Sequence, residues 1–188
     1  MKGTTKYLNT SYSSYFSYIG KLVVEIVERA ENLSTKDTAR TLYALGLLEY
    51  RNEDRVSVIA QRPKEQSEHF SGQEVANICW ALGKVQSRSY DVVYRLIRRL
   101  QDDNDNKLNL SPHEASNILY ALACLNLRDE AVFDKMCGLI LNQIDSASAQ
   151  SVANVLWASK AVFFSPPQQL LDTWATKKLG LVAVQKQD

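Results

Sequence analysis

Arg95, Arg98 and Arg99 stand at i, i+3 and i+4, a spacing that puts three guanidinium groups on one helical face beside Tyr94, with Arg88 two turns upstream. Guanidinium forks match phosphate oxygens in pairs, so this face is a candidate phosphate clamp. The same arginines also suit a solvated helix face, because Asp102, Asp103 and Asp105 follow and offset their field. Two further columns of polar residues recur along the chain. Lys36, Gln73, His113 and Gln150 form the first; Arg40, Asn77, Asn117 and Asn154, each four residues later, form the second. Each pair lies one turn apart on one face, and amides and guanidinium groups in such a stripe offer hydrogen bonds to bases or phosphates.

Catalysis has no comparable constellation in the sequence. It contains no G-x-S-x-G, no glycine-rich phosphate loop, no H-E-x-x-H and no Cys/His nucleophile pair at helical spacing. Cys79, Cys124 and Cys137 include no C-x-x-C pair and sit in apolar stretches, so they read as reduced core residues of an intracellular or organellar protein. His69 and His113 are the only histidines, and a Cys/His zinc site lacks its ligand spacing. No catalytic residue, metal, cofactor or small-molecule substrate is expected.

The elements that carry these residues follow from composition and repetition. The chain has 188 residues, 45% of them hydrophobic, which suits one well-packed domain. Only 7 glycines and 4 prolines exclude collagen-like chains and leave little material for hairpin turns, so an all-α fold is expected. No run of about 18 apolar residues occurs, and no membrane insertion is expected.

Four segments align: DTARTLYALG (37–46), EVANICWALG (74–83), EASNILYALA (114–123) and SVANVLWASK (151–160). Their aromatic residues Tyr43, Trp80, Tyr120 and Trp157 are 37, 40 and 37 residues apart, and Ser34, Ser71, Ser111 and Ser148 keep the same spacing. Each serine stands where an N-cap belongs, and Ser71 with Glu74 and Ser111 with Glu114 complete capping boxes. Phe70 before Val75 and Leu110 before Ala115 suit hydrophobic staples. The alanine after each aromatic, at 44, 81, 121 and 158, lets a neighbouring helix approach closely, and the aromatics themselves are expected in the core.

A second helix follows in each unit: 53–61 stopped by Pro63, then about 88–101, 128–144 and 166–176, the last opened by Pro166 and Pro167. A leading helix over about 12–31 carries Tyr15, Phe16, Tyr18, Ile19, Leu22, Val23, Ile26 and Val27 as its apolar stripe. Helix pairs at this period define an α-solenoid: one domain over 1–188, with a leading helix in 1–33 and repeats 34–70, 71–110, 111–147 and 148–184. Residues 1–24 contain no acid and are rich in hydroxyls, a composition shared with organellar transit peptides; the leading helix is the competing reading.

Gln150-Ser-Val-Ala-Asn-Val-Leu-Trp-Ala158, echoed by Gln73-Glu-Val-Ala-Asn-Ile-Cys-Trp-Ala81, resembles the core of octotricopeptide and heptatricopeptide repeats. The similarity covers about 34–184 and is weakest in the first block, where Arg40 replaces the asparagine. It implies an organellar helical-repeat RNA-binding protein, here without the RAP domain in which many relatives end. Net charge qualifies this expectation: 22 Lys+Arg against 21 Asp+Glu leave +1, whereas a free-standing RNA binder shows a clear basic excess. The combined reading is a non-catalytic subunit of an organellar ribonucleoprotein, with a mitochondrial ribosome as the leading setting, contacting ribosomal RNA and neighbouring subunits in the mitochondrial matrix; a plastid is the alternative. Two other readings are a protein–protein scaffold without RNA contact and a free-standing RNA-processing or stability factor. For Asn77, Asn117 and Asn154, an inter-repeat hydrogen bond competes with RNA contact, because a residue that reads sequence should vary from unit to unit.

Overall fold

The computed structural model describes residues 17–103 and 107–179. Among them are nine α-helices: α1 (17–28), α2 (Thr35–Leu47), α3 (Glu53–Glu65), α4 (Gly72–Val85), α5 (Tyr90–Asp102), α6 (Pro112–Cys124), α7 (Glu130–Asn142), α8 (Ala149–Ala161) and α9 (Gln168–Leu179). Short 3-10 turns occupy Ala30–Asn32, Ser67–His69 and Ile144–Ser146. No strand occurs among the described residues, and none of their helices is long and apolar enough to cross a membrane.

Helices α2, α4, α6 and α8 start where the serines stand. Ser34, Ser71, Ser111 and Ser148 have extended backbones and accept from the amides of Asp37, Glu74, Glu114 and Ser151, and the Ser71 and Ser111 boxes are closed by Glu74 and Glu114. These four helices stack side by side as one layer, while α3, α5, α7 and α9 form a second, looser layer. Close approach in the first layer depends on small residues. A Cβ on Gly83 would lie 2.7 Å from the Ala121 Cα, and one on Gly46 would lie 3.0 Å from the Ala81 Cα. The alanines expected to permit this contact are buried at 81, 121 and 158, but Ala44 is exposed, because no described helix precedes α2 in the layer.

The apolar stripes meet between the layers in one continuous core. Val75, Ile78, Cys79 and Leu82 of α4, Ala115, Ile118, Leu119 and Leu122 of α6, and Val92, Leu96 and Ile97 of α5 are all at most 2% exposed. Burial of a Val, Leu, Ile or Phe side chain contributes about 1.5–3 kcal/mol, so this shared core, more than intrinsic propensity, holds the helices. All three cysteines are free thiols; Cys79 and Cys137 are buried, and burial pushes each thiol up to about 12.

Several boundaries differ from the expectation. Pro63 does not stop the second helix of the first unit: α3 runs to Glu65, with Pro63 buried inside its last turn. A proline there removes one hydrogen bond, and the Gln66 amide still closes the turn on the Arg62 carbonyl. The second helices expected over 88–101, 128–144 and 166–176 begin two residues later, at Tyr90, Glu130 and Gln168. The leading helix ends at 28 and passes into the 3-10 turn Ala30–Asn32 instead of running to 31. Val23 is buried, but Tyr18 (69% exposed) and Leu22 (48%) face outward, and Tyr15 and Phe16 lie outside the described residues.

Candidate nucleic-acid interface

The two polar columns and the aromatic column lie on the open face of the first-helix layer. Its aromatics are not all core residues as expected: Trp80 is partly buried and packs against the core, Tyr43 and Tyr120 are partly exposed, and Trp157 is 47% exposed. They pair across neighbouring helices, Tyr43 with Trp80 at 5.0 Å between ring centroids and Tyr120 with Trp157 at 4.8 Å, both tilted. Such offset pairs each contribute about 0.5–1.5 kcal/mol beyond area burial, which compensates in part for their exposure.

Side-chain hydrogen bonds join the polar columns in the last two units. Gln150 Nε2 donates to Asn154 Oδ1 at 2.8 Å, Asn154 Nδ2 donates to Asn117 Oδ1 at 3.1 Å, and Asn117 Nδ2 lies 3.2 Å from His113 Nε2. The Asn154–Asn117 bond crosses between repeats and both residues are 8% exposed, so these two asparagines make the inter-repeat hydrogen bond that competed with RNA contact. Lys36, Arg40, Gln73 and Asn77 have no such partner among the described residues, and all but the partly buried Asn77 are exposed. A cavity of about 290 Å³ opens on this face, lined by Tyr43, Trp80, Lys84, His113, Asn117, Tyr120, Gln150 and Asn154.

Charge at this cavity is held locally. Lys84 Nζ lies 3.0 Å from Glu49 Oε1, and that hydrogen bond with its charge raises the Lys84 pKa and lowers that of Glu49. Burial raises the Tyr120 phenol, as does its neighbour Cys124; the Cys124 thiol is raised by burial too.

The arginine cluster occupies the second-helix layer, and its three members stand in different environments. Arg99 is 16% exposed at its side chain, and its Nη1 donates to the carbonyl oxygens of Ser67, at 2.6 Å, and Phe70, fastening the 3-10 turn that enters α4. Arg95 Nε donates to Ser67 Oγ at 3.3 Å. Arg98 is exposed with no ion pair among the described residues, and Arg88 is exposed as well. Arg95 and Arg98 share a cavity of about 630 Å³ with Gln61, Lys64, Glu65, Asp91 and Tyr94, where Lys64 pairs with Asp91 at 2.7 Å. The open face and this groove belong to different layers, so the candidate residues form two surfaces.

The aromatic pairs were legible as a column, but their exposure was not. Lys84 escaped the sequence reading: it stands four residues after Trp80 on the same helical face, and that spacing is the signal that finds it. Among the described residues, no group of three or more His, Cys, Asp or Glu side chains can hold a metal ion.

Stacked helix pairs presenting one long repeated face define a helical-repeat protein of the α-solenoid type. Within that class, the chain belongs to the RNA-editing substrate-binding complex 8 protein family, whose model matches residues 17–175. The match is to this family; the octotricopeptide and heptatricopeptide resemblance rests on the four blocks themselves. None of the curated proteins compared with the chain matches it.

Proposed function

We propose that this chain is a non-catalytic, RNA-associated structural subunit of an RNA-editing substrate-binding assembly in the mitochondrial matrix. The observation that carries this reading is the open face, where aromatic rings, amides and the cations Lys36 and Arg40 line a single surface. Ring faces stack on bases, amides meet base edges and cations meet phosphates, which is the repertoire of single-strand recognition. The family's name describes a complex that binds editing substrates, and this supports an editing assembly as the setting in preference to the mitochondrial ribosome suggested by the repeats.

Sedimentation of native mitochondrial lysate on a density gradient, with and without RNase, tests the proposal. Migration in a large particle that collapses on RNase treatment is expected. An RNase-insensitive particle replaces this reading with a protein scaffold, and migration as a free monomer replaces it with an independent processing factor.

A further inference from the structure

We infer that the cavity between the two aromatic pairs seats one unstacked nucleobase of a single-stranded RNA, between Trp80 and Tyr120 and against the end groups of the amide ladder. This rests on the RNA-associated reading above and deepens it. Trp80 belongs to one ring pair and Tyr120 to the other, and both line the same 290 Å³ space. Ligand cavities run from about 300 to 1,000 Å³, so this space suits one planar heterocycle and not a larger ligand.

The ladder supplies edge chemistry. Its internal bonds run from Gln150 through Asn154 and Asn117 to His113, and they use one N–H of the Gln150 amide and Nε2 of His113. The Gln150 carbonyl oxygen and His113 Nδ1 have no hydrogen-bond partner among the described residues, and both residues line the cavity. An acceptor at one end and, with Nε2 accepting from Asn117, an N–H donor at the other match the mixed donor–acceptor edge of a base. Packing by Asn117 and Asn154 fixes both ends, so the ladder presents its groups in one arrangement. A paired duplex hides base faces in the stack, which excludes it as the occupant.

Charge points the same way. Lys36, Arg40 and Lys84 are the cations of this face within the first two units, and Lys84 is already paired with Glu49. Binding therefore draws mainly on stacking, and the slope of log affinity against log salt is no steeper than about −2, following about −0.7 per phosphate neutralised on a single strand.

The test is fluorescence anisotropy with the full chain and labelled ten-nucleotide RNA, single-stranded or annealed as a blunt duplex, using Trp80→Leu, Tyr120→Leu and Tyr18→Leu proteins whose helicity is checked by circular dichroism. Tyr18 is an exposed aromatic on α1 that lines neither the cavity nor the arginine groove and serves as the control. The expected result is single-strand binding that weakens about ten- to hundred-fold in each of the first two variants and is unchanged in the third. If a variant at 80 or 120 does not fold, Trp fluorescence of the unaltered protein replaces it: quenching by single-stranded but not duplex RNA is expected, and no quenching, or equal quenching by both, overturns the inference. Equal affinity for duplex, or single-strand binding insensitive to both variants, overturns it as well and leaves the RNA-associated reading standing. Absence of RNA binding overturns it too; the broader reading then fails only if native sedimentation is also RNase-insensitive. A protein partner displaced by Trp80→Leu, with no RNA bound, assigns this face to protein instead.

Discussion

Arg99 and Cys79 illustrate how similar residues in sequence acquire different work from their surroundings. The Arg99 guanidinium is occupied by the Ser67 and Phe70 carbonyl oxygens, whereas Arg98, one residue earlier, projects into solvent. Arg99→Met removes charged hydrogen bonds to partly buried carbonyls, and we expect a loss of about 2–3 kcal/mol in urea unfolding with little change in the RNA affinity of the folded protein. At Cys79 burial pushes the thiol from 9.0 to about 12, which favours the protonated form in the folded state. A pKa raised by folding gives stability that is complete below the unfolded value and is lost as pH rises toward the folded one. The stability difference between the natural protein and Cys79→Val should thus be constant below about pH 9 and shrink between pH 9 and 12. Denaturant midpoints at pH 8 and pH 10.5 measure it, and a difference independent of pH would contradict the assignment.

Helices of the first layer were readable because every unit states its own start. A capping serine, an acid or hydroxyl three residues on, and an apolar residue before the cap agree in register, so the error in α2, α4, α6 and α8 is small. Second helices lack that agreement, and Pro63 shows why. The rule that proline ends a helix rests on one missing donor and one clash; here α3 gives up the one bond that a residue 63 amide would make and continues only to Glu65, so the proline marks the end within one turn without fixing it. The ends of the first helices were also hidden. Glu49, Gln86, Asn126 and Phe163 all have φ between 49° and 56°, at the same 37, 40 and 37 spacing, yet none is the glycine that marks such a C-terminus. Each is followed by an amide that reaches back to Leu45, Leu82, Leu122 or Ser159, so the chain accepts the strain to reverse direction. Contact between first helices is the element most exposed to mutation. Gly83→Ala would set a Cβ 2.7 Å from backbone of α6, which cannot withdraw as a flexible side chain would, and we expect a loss of about 1–3 kcal/mol. The same change at Gly138, where an added Cβ would meet nothing beyond its own helix backbone within 4 Å, should be neutral to stabilising in a thermal melt.

Across the whole molecule, repetition converts single residues into a surface. The positions of the polar and aromatic columns were legible from spacing alone, since residues four apart share a helical face. Which column was buried was not, because burial depends on what lies across from it: Val75 and Ile78 sit in the core, whereas Trp80 is covered only in part, by Tyr43 and Gly46 of α2, and Trp157 is 47% exposed. The inter-repeat hydrogen bond was expected from the repeated asparagines, but its pairing was not legible: it joins Asn117 and Asn154 across 37 residues, and Gln150 and His113 extend it into a ladder. A net charge of only +1 for the whole chain is in keeping with the proposed role of a subunit that shares RNA with its neighbours. Ultraviolet crosslinking of the native assembly, followed by mass spectrometry of this chain's peptides, tests that account most directly. It predicts nucleotide adducts on peptides carrying Tyr43, Trp80, Tyr120 or Trp157; adducts confined to the second-helix layer, or none on this chain, would contradict it.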